Sequence, residues 1–463
     1  MDILLIIGLC LTLTVIIGLS VWSGTQLKKG QKKNSLPVVA GIIMGTLVGG
    51  SSSVGTAQLA YHYGFSAWWF TLGAGIACLI LALVYAVPLR RTGCATLVGI
   101  IRKEYGDTAG TWASILSIVG ILVNIISQLI SATAVIAVVF PQVPLGAAVA
   151  LSAVFMILYV IFGGTKGTGM VGIVKMLLLY VSIIACGVMA LRLSGGLSGF
   201  IQATNNMENP ENVRFFSLFA QDVGTDLGAC FSLIFGVLTT QTYAQSVLSG
   251  RTDKDAVGGA LASAFLIPPI GVGGILVGLY MRANAAMYPG LTAKTALTTF
   301  ITAHMPPLMA GIILGTLFVA VVGTGAGLSL GISSVINNDV VKRLTHRFDD
   351  PKKATTLEKV WILLVLIVAG LLSCGGIGDT ICKFAFMSMG LRGAVIFLPL
   401  CCALWLPGRI APKYAIASIL AGPLMVLAFG FWGVLPFDPL FIDIFACLCI
   451  MGFGLIRSKQ AVK

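Results

Sequence analysis

Apolar runs of about 20 residues, separated by short polar turns, recur along all 463 residues. A run of that length matches the hydrocarbon core of a bilayer. Thirteen are counted. They cover Ile3–Val21, Pro37–Tyr61, Ala67–Leu89, Ala109–Phe140, Gly146–Phe162, Met170–Leu191, Gly228–Leu248, Ala256–Tyr280, Leu308–Ile336, Leu357–Cys374, Ile381–Trp405, Tyr414–Trp432 and Leu440–Ile456. Thr96–Tyr105 is short and amphipathic and is expected at the interface. The second run stands apart, because its middle reads Gly49-Gly50-Ser51-Ser52-Ser53, where a helix is least favoured. Backbone that unwinds there frees N–H and C=O groups that lipid cannot satisfy; they must face protein, water or an ion. Half-helices meeting at an unwound centre build the midplane sites of many transporters. Close packing of Gly and Ser against a neighbouring helix is the alternative.

Composition agrees with a membrane setting. Only 10% of residues are charged, against about 25% in soluble domains, and mean hydropathy is +1.01. The chain therefore reads as an all-α polytopic protein integral to a lipid bilayer. The eleven cysteines form no CxxC pair, so buried thiols are expected rather than a zinc site or disulfide framework. The net charge of +13 is carried by alternate loops. Lys28, Lys29, Lys32 and Lys33, then Arg90, Arg91, Arg102 and Lys103, then Lys166, then Arg251 and Lys254 fall on one side. Lys342, Arg343, Arg347, Arg409 and Lys413 join them, while Glu208, Glu211, Asp222 and Asp226 lie opposite. By the positive-inside rule the N-terminus is outside and the C-terminus cytoplasmic, and the charge does not indicate nucleic-acid binding. Met1–Val21 lacks a basic start and an Ala-x-Ala site, so it reads as a retained helix.

The longest loop, Arg192–Leu227, is too short for a core of its own. No Walker, Rossmann or His-rich pattern is present, which argues against ATP-driven transport and redox chemistry. His62, His304 and His346 sit at span edges or in loops, so an enzyme is not expected, nor an organic cofactor.

Four segments in order resemble the sodium/solute symporter family: the broken run with Gly55, Tyr61 and Gly64; Tyr159 with Gly163, Gly164 and Lys166; the basic loop QSVLSGRTDKDA from Gln245 to Ala256; and His304 through Asn338-Asp339, with Ala320 to Thr324 between. The resemblance implies a LeuT-like fold, a 5+5 inverted repeat with one leading and two trailing helices. Residues 1–34 would hold the leading helix, 35–192 and 193–406 the two repeats, and 407–463 the trailing helices. It implies a secondary transporter of the bacterial cytoplasmic (inner) membrane, moving a small organic solute with sodium or a proton by alternating access. A transporter-like sensor is the lesser alternative, since the tail Arg457–Lys463 carries no signalling domain.

The resemblance also implies a sodium site between core helices one and eight. Its oxygen ligands fall at Gly45 and Val48 on helix one and at Ala320, Gly323 and Thr324 on helix eight. Gly323 departs from the family, which usually has serine there; Gly323, Gly327 and Gly331 are spaced one turn apart and also read as a packing face. On core helix five, Gly172 stands where many members carry aspartate and Lys175 where they carry glutamine. Lys175 either snorkels to the cytoplasm or, as in sodium-independent amino-acid transporters of the same fold, puts its amine where sodium would sit. A buried amine can give up its proton during a transport cycle, so Lys175 is a candidate coupling group in place of sodium, and a sodium-independent proton-coupled transporter or exchanger is the alternative function.

The candidate solute site gathers Ser51, Ser52, Ser53 and Gln58 on helix one, Gln128 on helix three, and Thr240 and Gln241, beside Thr239, on helix six; each also suits a bridge between helices. Arg392 lies about ten residues into its span, roughly 15 Å deep, where an arginine needs a partner or water. Asp339, Asp379 and Asp443 are expected near helix ends, away from it. A solute carboxylate suits its guanidinium; backbone carbonyls of a broken helix are the other option. No Asp or Glu is expected mid-span, which disfavours a cationic solute such as choline or a polyamine. A neutral or carboxylate-bearing solute is expected.

Overall fold

The leading helix α1 (Ile3–Gln26) lies along α15 (Pro307–Val335), and glycine makes the fit possible. A Cβ on Gly311 would meet the Leu5 carbonyl oxygen at 2.0 Å, and one on Gly8 the Leu308 carbonyl oxygen at 2.4 Å. This is the small-residue packing that membrane helices use when water supplies no drive to associate. The computed structural model describes residues 2–26, 33–207, 212–341, 351–374, 381–432 and 438–461. Lys28, Lys29, Lys32, Glu208, Glu211, Lys342, Arg343, His346, Arg347 and Asp379 lie outside the described residues, as do the side chains of Gly163, Gly164, Lys166 and Asn338.

The chain is helical; among the described residues eight helices are long and apolar enough to cross a membrane, nine if the bent pair Val223–Thr239 and Gln241–Leu248 is one span, and the bundle is LeuT-like with one leading and two trailing helices. Core helix one is α2 (Leu36–Leu47) and α3 (Thr56–Tyr63), joined through a π turn at Ser51–Gly55. Core helix two is α4 (Trp69–Ile80) and α5 (Ala86–Arg91), followed by the short α6 (Leu97–Tyr105). Core helix three is α7 (Asp107–Val139). Two expected spans merge into α8 (Leu145–Leu193), which is helical over 49 residues. A straight helix of that length would run about 73 Å, more than twice the hydrocarbon core. Tyr159 and Lys175 rule out a straight path. They would stand about 24 Å apart along a rod, yet Tyr159 Oη and Lys175 Nζ come within 3.4 and 3.5 Å of one point on Gly323. α8 is therefore not a straight rod.

After α9 (Gly196–Asn206), core helix six is α10 (Val223–Thr239) and α11 (Gln241–Leu248), bent by 49°. Core helix seven is α12 (Asp253–Leu266) with α13 (Pro268–Ala283); α14 (Ala296–His304) precedes α15, which is core helix eight. Then come α16 (Pro351–Cys374), α17 (Ile381–Trp405) and the trailing α18 (Pro412–Trp432) and α19 (Leu440–Ala461).

The basic loops meet on one side. Asn34 and Arg251 pair through backbone bonds, Asn34 N–H to Ser249 O and Arg251 N–H to Asn34 O, each 2.8 Å. Arg90 reaches Asp253 at 2.6 Å, and Arg102 donates to the Asp339 carbonyl at 3.0 Å. On the opposite side Arg282 donates to the Tyr61 carbonyl at 3.1 Å, and Tyr288 bonds His304 at 2.6 Å.

Candidate functional site

Core helix one comes apart where its sequence turns to Gly and Ser. Val48 leaves helical geometry (φ −92°, ψ 104°). The freed groups are met locally: Gly50 N–H donates to Gln128 Oε1 at 2.9 Å, and Gly49 N–H to Ser52 Oγ at 2.8 Å. Ser53 Oγ donates to the Gly49 carbonyl at 2.8 Å. Ser51 Oγ pairs with Ser127 Oγ at 3.0 Å, and Gln128 Nε2 donates to Asn124 at 3.1 Å. Glycine is required at the turn, because a Cβ on Gly49 would sit 2.5 Å from Thr324 Oγ1. The three serines and Gln128 thus act first as caps of the break.

The carbonyls of Gly45 and Val48 point the other way, toward α15. Between the two helices lies the Lys175 ammonium, 1% exposed. Nζ donates to the Gly45 carbonyl at 2.5 Å, to the Ala320 carbonyl at 2.8 Å and to Thr324 Oγ1 at 3.2 Å. An ammonium has three donors, and all three are used. Thr324 Oγ1 in turn donates to the Val48 carbonyl at 3.2 Å. The residues proposed as cation ligands are therefore brought together, with the lysine amine at their centre. Gly323 adds no ligand, and its missing side chain leaves room beside Nζ and Tyr159. Gly172 is where backbones touch: a Cβ there would meet the Gly41 carbonyl oxygen at 2.1 Å, so an aspartate does not fit. Snorkelling of Lys175 is excluded by its burial.

Arg392 is fully buried on α17. Its Nε donates to the Ser388 carbonyl at 3.1 Å, and its terminal nitrogens to Thr240 Oγ1 at 2.6 Å and Ser388 Oγ at 3.1 Å. Thr240 is the non-helical residue between α10 and α11 (φ −85°, ψ 121°). The guanidinium sits at the C-terminal end of α10, where the helix dipole favours a cation. Tyr243, also within electrostatic range, has a buried hydroxyl with no partner. No carboxylate of a described residue lies within salt-bridge distance of Arg392.

Three polar side chains are engaged within the fold. Gln241 Oε1 accepts from Leu97 N–H at 3.0 Å and its Nε2 donates to Ala95 O at 3.2 Å, tying core helix six to the loop before α6. Gln58 Oε1 accepts from Ile381 N–H at 2.9 Å and caps α17. Asp443 lies deeper than a helix end, beside Ala394 about halfway along α17. Nor do the solute candidates form one pocket. Ser127, beside Ser51, donates to the Ile381 carbonyl, whereas Arg392 is about eleven residues, roughly 16 Å, further along α17.

A cavity of about 190 Å³ opens on the basic-loop side below the lysine, lined in part by Thr46, Thr242, Ser246, Gly327 and Glu358. The sequence reading missed this wall, although Thr242, Gln245, Ser246 and Ser249 repeat on one face of α11 at helical spacing.

Two broken helices crossing in a helical membrane bundle, with polar groups at both breaks, define a LeuT-like fold. The substrate-bound, outward-open state of a Na+-coupled sialic acid symporter has the same fold (TM-score 0.78, 17% identity, 99% of this chain and 98% of that one). A nucleobase-cation-symport-1 family transporter in a closed conformation is more distant (TM-score 0.58, 13% identity, 93% and 94%). Residues 35–422 match the Sodium:solute symporter family, and the chain belongs to it. Its relatives are transporters and not enzymes. They include High-affinity choline transporter 1 of Drosophila melanogaster, 22% identical over 80% of this chain and 61% of that one. The Caenorhabditis elegans transporter of the same name is 21% identical over 90% and 77%. The chain spans under two thirds of the fly protein's length.

Proposed function

We propose that this chain is a cation-coupled symporter of a small carboxylate-bearing solute, in which the proton on Lys175 takes the place of sodium. The observation that carries the reading is the ammonium, held at 2.5, 2.8 and 3.2 Å from the oxygens of Gly45, Ala320 and Thr324. Those oxygens suit a hard cation, but an ammonium among them repels sodium and uses the lone pairs sodium needs. Loss of its proton would end that repulsion and free the pair of helices to move apart. Residues 35–192 and 193–406 act as the two repeats, and the basic-loop side is cytoplasmic, with the N-terminus outside. The cavity beside Thr46 and Glu358 is then an inward vestibule. The membrane is a bacterial cytoplasmic one.

Arg392 supports the solute class. A buried guanidinium facing an unwound helix and an unpartnered phenol is suited to a carboxylate. Choline, named for two relatives, is disfavoured, because two buried cations line the core and a quaternary ammonium needs aromatic faces or an anion.

Uptake into proteoliposomes, driven by either a pH gradient or a sodium gradient, tests the coupling. The wild type should respond to the pH gradient alone, and Lys175→Gln should abolish that response. Sodium-driven accumulation by the wild type would sink the lysine reading.

A further inference from the structure

Outside the transport core, Asp443 on α19 is 1% exposed and sits deep in the bundle. Its Oδ1 accepts only a thiol, Cys447 Sγ at 3.3 Å. Its Oδ2 has no hydrogen-bond partner, and neither has the buried Ser418 Oγ on α18. Cys447 also touches Ser418, whose carbonyl lies 3.5 Å from the sulfur, so the three residues share one site. The charge has no basic partner: the sequence holds no Lys, Arg or His between Lys413 and Arg457, and no described cation makes a salt bridge to Asp443.

The surroundings hold oxygen acceptors and few donors. A Cβ on Gly422 would lie 2.6 Å from both the Ala394 carbonyl oxygen and Asp443 Oδ1. The two oxygens therefore face one gap and are at most 5.2 Å apart, twice that distance. Pro423, inside α18, has no N–H for the Ile419 carbonyl. Acceptors facing acceptors in a dry site repel unless something positive lies between them. The first turn of α19 contributes its dipole, but no N–H reaches Oδ2. The other titratable groups nearby, Cys447, Tyr414 and Asp438, bring no positive charge, and Arg392 points from the other face of α17. Residues 392 and 394 are about 200° apart around that helix.

We propose that Asp443, Ser418 and the Ala394 carbonyl form a binding site for a small monovalent cation, a proton or sodium, between the trailing helices and α17. Its occupant bonds the rear of α17 to α18 and α19, while the front of the same helix presents Arg392.

The test uses the full-length protein in lipid nanodiscs, as wild type and as the neutral isostere Asp443→Asn. Infrared spectra are recorded at neutral pH with sodium and with N-methylglucamine instead. A protonated-carboxyl band in both buffers, lost in Asp443→Asn and displaced in Ser418→Ala, identifies a proton. A band seen only without sodium, with a sodium-dependent rise in Tm that Asp443→Asn lacks, identifies sodium. Should Asp443→Asn not fold, the displacement of the band in Ser418→Ala, or of the sodium-dependent Tm, makes the same assignment. If no protonated-carboxyl band appears in either buffer, and sodium moves the Tm of wild type and variants equally or not at all, the carboxylate stands bare and the proposal is overturned.

Discussion

Replacing Lys175 by methionine removes the ammonium and keeps most of its stem. Methionine ends one heavy atom short of Nζ, so a gap opens at the centre of the oxygen cage. The Thr324 hydroxyl keeps its bond to Val48, but the Gly45 and Ala320 carbonyls lose their donor. Two stranded acceptors cost about 2–6 kcal/mol together, less what is regained by no longer burying a charge. Sodium then has access to the cage: at 100 times its Kd it returns about 2.7 kcal/mol, comparable to the loss. Thermal unfolding of purified protein in sodium and in N-methylglucamine measures both effects. The variant should melt well below the wild type without sodium and recover much of the difference with it, while the wild type should not respond. A sodium-induced rise in the wild type equal to that of the variant would refute the assignment, since the ammonium would not then be holding the site.

Arg392→Gln should weaken binding of a carboxylate solute by about 1.5–3 kcal/mol, the worth of charged hydrogen bonds, or roughly 10- to 150-fold in Kd, as read by calorimetry; a neutral amide of the same solute should lose far less. Gly327→Leu should plug the vestibule, because even a Cβ there meets Thr46 Cγ2 at 2.4 Å; uptake should fall sharply while overpacking costs about 1–3 kcal/mol of stability. At the start of α12, the Thr252 hydroxyl holds the Asp255 carboxyl below the usual carboxylate range. A lowered folded value means the cap is fully formed above the unfolded pKa of about 3.9 and is lost as pH falls through the folded one. Amide protection factors at residues 252–256, which correct for the slower intrinsic exchange in acid, should therefore fall as the carboxyl is protonated, and Thr252→Ala should show the low protection already at neutral pH.

Span positions were legible because bilayer thickness imposes a length on every crossing helix. So was the break at Gly49–Ser53, where poor helix formers interrupt an apolar run. What the polar side chains do there was harder to read. Gln58, Gln128 and Gln241 are alike in sequence, glutamines in or beside membrane helices. In space Gln128 caps the break, Gln58 caps the start of α17, and Gln241 anchors a loop. An amide joins whichever orphan backbone group the fold brings near, and that depends on tertiary contacts. Asp443 shows the same limit. Its place near the start of an apolar run suggested the membrane surface, but α19 begins inside the bundle. Lys175 was open to two readings because a helix turn from the interface permits both snorkelling and burial. The close backbone contact of Gly172 with Gly41 turns that face of α8 inward and decides between them.

The glycine row on α15 ties these sites into one device. Gly323 faces Tyr159 and Lys175, Gly327 faces Thr46 on α2, and Gly331 faces Thr242 on α11. The three positions lie one turn apart on a single stiff helix, so they touch, in order, the Lys175 amine, core helix one and core helix six. Both broken helices thus rest on one surface whose upper end carries the Lys175 ammonium. While the ammonium bridges Gly45 to Ala320, α2 is held against α15, and Thr46 stays seated on Gly327 at the neck of the vestibule. In the proposed cycle, removing the positive charge would release the top contact first, since α2 has no other charged bond to α15 among the described residues. If Lys175 is the coupling group proposed above, opening of the cavity would be linked to its protonation through packing alone, without a chain of polar relays.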